Sequence, residues 1–140
     1  MDYVALKTEI TTDPTARGYA APYAAGSDIE VANLLNEIQA GIEVDVPFLD
    51  AWELQGAIVA TEFAALDADR RALWSNILVA GRIEVQNTNV RNQILLIWVA
   101  GTTTRSNIAA LQTRNGSRAE QLFGFGTTVT HSQVSQTRLI

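Results

Sequence analysis

"LDADRRALWSNILVAG", Leu66 to Gly81, sets how the rest of the chain is read. Leu66, Leu73, Ile77 and Ala80 fall on one face at helical spacing. Asp67 and Asp69 stand at its start, where carboxylates meet the positive end of a helix dipole. Gly81 stands where helices commonly end on a left-handed residue.

The same punctuation recurs in both directions. Ser27-Asp28-Ile29-Glu30 has a hydroxyl at the N-cap and a carboxylate three residues on, so that each side chain satisfies a backbone N–H. Asp50-Ala51-Trp52-Glu53, Ser117-Arg118-Ala119-Glu120 and Thr130-His131-Ser132-Gln133 share that spacing. Gly41, Gly101 and Gly124 repeat the stop. These signals predict helices near Tyr3–Thr11, Asp28–Gln39, Asp50–Val59, Asp67–Ala80, Thr88–Ala100, Thr104–Thr113, Ser117–Phe123 and Thr130–Leu139. The expected fold is all-α, a multi-helix domain spanning residues 1–140 with about seven or eight short helices.

Two segments alternate apolar and acidic residues instead. "IEVDVPF", Ile42 to Phe48, and "RIEVQ", Arg82 to Gln86, are candidates for a minor two-stranded ribbon. Pro47 suits an edge or an extended connector equally well. "TTDPTARGYAAPYAAG", Thr11 to Gly26, has no strong period and reads as a docked or mobile arm, with Tyr19 and Tyr23 as anchors.

At 140 residues the chain is long enough to bury a core, and 47% apolar with 18% charged residues is a globular composition. Its longest apolar run, Ile94 to Ala100, is far short of the roughly 20 residues of a membrane span. No basic stretch followed by an apolar one opens the sequence, so no secretory leader is expected. There is no cysteine, which removes disulfides, thiolate metal sites and thiol catalysis. With a single histidine, His131, a site built from several imidazoles is impossible within one chain.

The net charge of −5 argues against generic nucleic-acid binding. It is unevenly spread. Residues 1–100 carry six Lys/Arg against fourteen Asp/Glu, whereas residues 101–140 carry Arg105, Arg114, Arg118 and Arg138 against Glu120 alone. Such asymmetry suits contacts between copies, or with an oppositely charged neighbour.

Catalytic constellations are sparse. Asp67 and Asp69 are explained by the helix dipole, and Glu43 and Asp45 project from one face of an extended segment without a third ligand. His131 falls in the first turn of the last helix, with no nucleophile-elbow sequence to support a triad. Trp52, Trp74 and Trp98 each lie in a predicted helix among aliphatic residues and are read as core. "RNGSRAEQLFGFGT", Arg114 to Thr127, lacks the third glycine and preceding strand of a dinucleotide fingerprint, and the Gly-Lys-Ser/Thr of a P-loop. An anion held by Arg114 and Arg118 at the Ser117 helix start would compete with Glu120. The capping reading needs no ligand.

"LKTEITTDPTARGYA" near the start and "AGTTTRSNIAALQTRNGSRAEQLFGFGTTVTHSQV" near the end resemble a family of small, uncharacterised proteins of tailed bacteriophages. The similarity spans nearly the whole chain and is looser in the middle. It carries no catalytic or ligand residues. What it implies is a phage context: a structural virion protein, accessory or minor, of the capsid, head–tail junction or tail. Its expected partners are other phage structural proteins and copies of itself, in the virion and, during assembly, in the host cytoplasm. Candidate interface residues are Tyr19, Tyr23, Arg105, Arg114, Arg118 and Arg138. No enzymatic activity, small-molecule substrate, cofactor, metal, membrane or nucleic acid is expected. The alternatives are a non-virion binding module, either an assembly chaperone or a regulator of a host protein, and, ranked last, a hydrolase using His131 and a carboxylate.

Overall fold

A computed structural model describes all 140 residues. Ten α-helices and four short strands follow one another as α1 (Tyr3–Thr12), α2 (Ala20–Ala24), α3 (Asp28–Asn36), β1 (Ile38–Asp45), β2 (Leu49–Asp50), α4 (Ala51–Gly56), α5 (Ala60–Ala65), α6 (Ala68–Val79), β3 (Arg82–Ile83), α7 (Thr88–Ile97), α8 (Thr103–Leu111), β4 (Thr113–Ser117), α9 (Arg118–Phe123) and α10 (His131–Gln136). A 3-10 turn, Thr137–Leu139, follows α10. The protein is thus mainly α-helical. The two helices beyond the expected seven or eight are α2 and α5.

The chain forms two compact units, one discontinuous, from residues 1–44 and 115–140, and one continuous, from residues 45–114. It passes from the first to the second along β1 and returns along β4, and these two strands pair. The ribbon expected between "IEVDVPF" and "RIEVQ" is therefore corrected. The first part of that segment, residues 42–45, belongs to β1, which pairs with β4, and Arg82–Ile83 pairs antiparallel with Leu49–Asp50, beyond Pro47. Gly41 ends no helix and lies inside β1, because α3 already stops at Asn36.

The discontinuous unit is built around Leu6, Ile10, Tyr19, Val31, Leu35, Ala119, Val129 and Val134. On α1, Leu6 and Ile10 face this core, and Asp2 Oδ1 caps the helix by accepting the N–H groups of Val4 and Ala5, each at 3.0 Å. Asn36 fixes the approach to α10 by a reciprocal amide pair, donating to the Val129 carbonyl at 2.7 Å and accepting its N–H at 2.8 Å. Thr130 and Gln133 complete the capping box of α10. The box expected at Ser27 does not form, since the Ser27 side chain makes no capping bond.

The arm between α1 and α3 is docked. Asp13 ends α1 in the left-handed region (φ 41°), and its carboxylate accepts the N–H groups of Arg17 and Gly18, each at 2.7 Å. This local clamp, of the kind that favours Asp in turns, folds the segment back so that Tyr19 enters the core.

The continuous unit packs Leu54, Trp74, Ile77, Val85, Ile94, Ile97, Trp98 and Ile108 together. The Trp74 and Trp98 rings meet edge to face, 5.4 Å apart at 85°. Asp67 caps α6 through the Arg70 N–H, and Asn87 caps α7 through those of Asn89 and Val90. The Gln86 amide donates to the carbonyls of both Val46 and Gln112, tying the two ends of the unit together. Trp52 departs from expectation: it is not core but 72% exposed. Leu54 is the buried residue of α4, and a side chain two positions earlier points to nearly the opposite face.

Candidate interaction surfaces

In the discontinuous unit, most of the expected interface residues are committed to the unit itself. Glu9 shares the α1 stripe with Leu6 and Ile10 and is 4% exposed. A carboxylate in that position is stable only with a close counter-charge. Arg118, the first residue of α9, supplies it: Nε and Nη2 donate to Oε1 and Oε2, each at 2.8 Å. Those bonds raise the Arg118 pKa against the opposing effect of burial.

Tyr19 is fully buried and presents no surface to a partner. Its hydroxyl, like Arg17 Nε and Nη1, lies inside without a hydrogen-bond partner. Burial first, then the neighbouring Glu9 carboxylate, push that hydroxyl well above the ordinary phenol range. Tyr23 is half-buried, its hydroxyl 3.0 Å from Thr137 Oγ1. Arg138 lies over the Tyr23 ring at 4.0 Å, donates to the Tyr23 carbonyl at 2.7 Å and pairs with Asp28 at 2.6 Å. The basic C-terminal region is thus partly neutralised from within.

The stretch that resembled a phosphate cradle is a capped helix. Glu120 is buried, and its carboxylate accepts the Ser117 N–H at 3.0 Å and the Gly126 N–H at 2.8 Å. A bound anion would have to displace that carboxylate. Gly124 (φ 102°) and Gly126 (φ 75°) make the turn that brings the second amide round. Arg114 is half-buried on β4, and His131 is exposed on the first turn of α10.

The continuous unit also exposes large apolar side chains. Trp52 stands exposed beyond the β2–β3 pair, with the exposed Asp50 before it and the half-buried Glu53 after it. Glu53 accepts the Asp50 N–H at 2.8 Å, which fixes the first turn of α4 and with it the Trp52 backbone. Arg82, opposite Asp50 in register, is turned onto the Phe48 ring at 4.2 Å. Val79, near the end of α6, is 84% exposed.

A groove of about 280 Å³ runs between α7 and α8. Arg91 and Arg105 line it, together with Ile94, Leu95, Ile108, Ala109 and Gln112. No carboxylate is among these residues, and neither guanidinium group makes a hydrogen bond or ion pair. Of the six expected interface residues, Arg105 alone falls here. Arg91 escaped the sequence reading because a single arginine on α7 carries no signal until α8 brings Arg105 beside it.

Glu62 also went unmarked. From α5 its carboxylate accepts the N–H groups of Thr103 and Thr104, at 2.7 and 2.8 Å, capping α8 from outside that helix. These bonds, the Thr104 contact foremost, hold its pKa below the usual carboxylate value. No group of three or more His, Asp or Glu side chains is placed to hold a metal ion, and no helix is long and apolar enough to cross a membrane. No protein-family model, curated protein or solved structure matches the chain.

Proposed function

We propose that this chain is a structural protein of a tailed-bacteriophage particle, an accessory or minor component of the capsid, head–tail junction or tail, acting through protein–protein contacts in many copies. The phage context rests on the two sequence blocks described above. The contact role rests on one observation: a small unit with a well-filled core leaves a tryptophan 72% exposed. Large aromatic side chains are the residues on which protein interfaces concentrate their binding energy. In this reading the protein resides in the virion and, during assembly, in the host cytoplasm.

Peptide identification and electron microscopy of purified particles test the proposal. Stoichiometric recovery with the particle is expected. Absence from virions, combined with capture of a non-virion protein from infected cells, would instead identify an assembly chaperone or a regulator of a host protein.

A further inference from the structure

We infer that the continuous unit carries both halves of a self-association contact, in which Trp52 of one copy seats in the Arg91–Arg105 groove of another. The inference deepens the many-copies part of the proposed function and rests on it.

The two surfaces match in shape and in charge. The knob is one exposed indole flanked by the carboxylates of Asp50 and Glu53. The groove has apolar walls, including buried Ile94 and Ile108, and two unpaired guanidinium groups. Seating the indole would remove roughly 150–250 Å² of aromatic surface from water. It would also bring the carboxylates toward the arginines, where partial desolvation strengthens their attraction. At about 280 Å³ the groove has room for a single indole.

Two arginines of the other unit fit less well as receptors. Arg118 and Arg138 are already paired within their own unit. Because knob and groove are different surfaces, the contact either closes as a pair that exchanges it twice or runs head to tail. A single seated tryptophan covers less than the roughly 1,600 Å² of a standard stable interface, so the contact is weak alone and gains from repetition in an assembly.

Sedimentation velocity of the full chain over a concentration series tests this. The wild type should self-associate, and added salt should weaken the association. Trp52→Ala and the double variant Arg91→Glu/Arg105→Glu should each raise the dissociation constant by about thirtyfold or more. Both should keep the wild-type melting temperature, since none of the three side chains is buried. If charge reversal unfolds the chain, Arg91→Gln/Arg105→Gln takes its place. Mixing the two defective variants should restore association, because one retains the knob and the other the groove.

A monomeric wild type at every concentration overturns the inference. So does association unaffected by these substitutions or by salt, or a mixture that stays monomeric. Loss of particle incorporation by Trp52→Ala in a chain that is monomeric in solution would assign the surface to a different partner protein. Recovery of the wild type in virions is a separate result, so either proposal can fail without the other.

Discussion

Glu9 and Arg118, 109 residues apart in sequence, form a two-pronged ion pair inside the discontinuous unit, with both bonds at 2.8 Å. Deleting one partner leaves the other charge buried and alone, so Arg118→Ala or Glu9→Ala should destabilise the protein by about 3–5 kcal/mol. Arg118→Lys should recover only part of this loss, because an ammonium cannot match both carboxylate oxygens in the plane of a guanidinium. Replacing the pair together, as Glu9→Leu/Arg118→Met, should cost far less than the sum of the single losses. Urea denaturation of the four variants checks the pattern, and additive losses would contradict it.

Tyr19 makes a prediction of opposite sign. Its buried hydroxyl has no partner, so Tyr19→Phe removes a desolvation cost and should raise stability near neutral pH by about 1 kcal/mol. The pH dependence follows from the raised folded-state pKa. Below the unfolded pKa of about 10, both states keep the proton and the wild type suffers no ionisation penalty beyond that desolvation cost. Above it, the unfolded chain ionises while the folded one does not, so wild-type stability falls as pH rises toward the folded value. The gap between Tyr19→Phe and wild type should therefore widen above about pH 10, as chemical denaturation across that range would reveal.

What could be read from the sequence was the set of elements with local chemistry. Asp67, Ser117–Glu120 and Thr130–Gln133 mark helix starts through bonds spanning three residues, and those bonds form. Helices α2 and α5 went unmarked because their N-cap residues, Tyr19 and Val59, are not residue types that cap a helix. The pairing of β1 with β4 joins distant segments, and "TRNGS" shows no alternation to announce a strand. The candidate surfaces were half legible. Charge counting located Arg105, Arg118 and Arg138, but only tertiary packing decides which arginines find a partner at home. Glu9 did carry a signal, since an acid three residues after Leu6 and one before Ile10 lies on the buried stripe.

Glu62 ties stability to acid. Its lowered pKa means that the charged carboxylate stabilises the fold above the unfolded value of about 4.3, and that the contribution is lost as pH falls through the folded value. Glu62→Gln should melt below the wild type at neutral pH, because a neutral amide oxygen replaces a charged acceptor for the Thr103 and Thr104 amides. The difference should close on acidification. Melting curves of both proteins between about pH 7 and pH 3 test the sign, since a gap that grew in acid would contradict the capping role.

Gly116 is required by space rather than by backbone conformation. A Cβ placed there would sit 2.5 and 2.8 Å from the two γ-methyl carbons of Val44 and 3.1 Å from Glu120 Oε2. Val44 is buried, and its β-branched side chain has few rotamers to escape into. Glu120 cannot yield either without releasing the Ser117 and Gly126 amides. Gly116→Ala should therefore cost about 1–3 kcal/mol as an overpacking substitution. Val44→Ala alone should also destabilise, by removing buried methyls. In the double variant the new methyl occupies space that the valine vacated, so its loss should be smaller than the two single losses added together. Equilibrium unfolding of the three variants gives the coupling directly, and strict additivity would show that the glycine is not held by its contact with Val44.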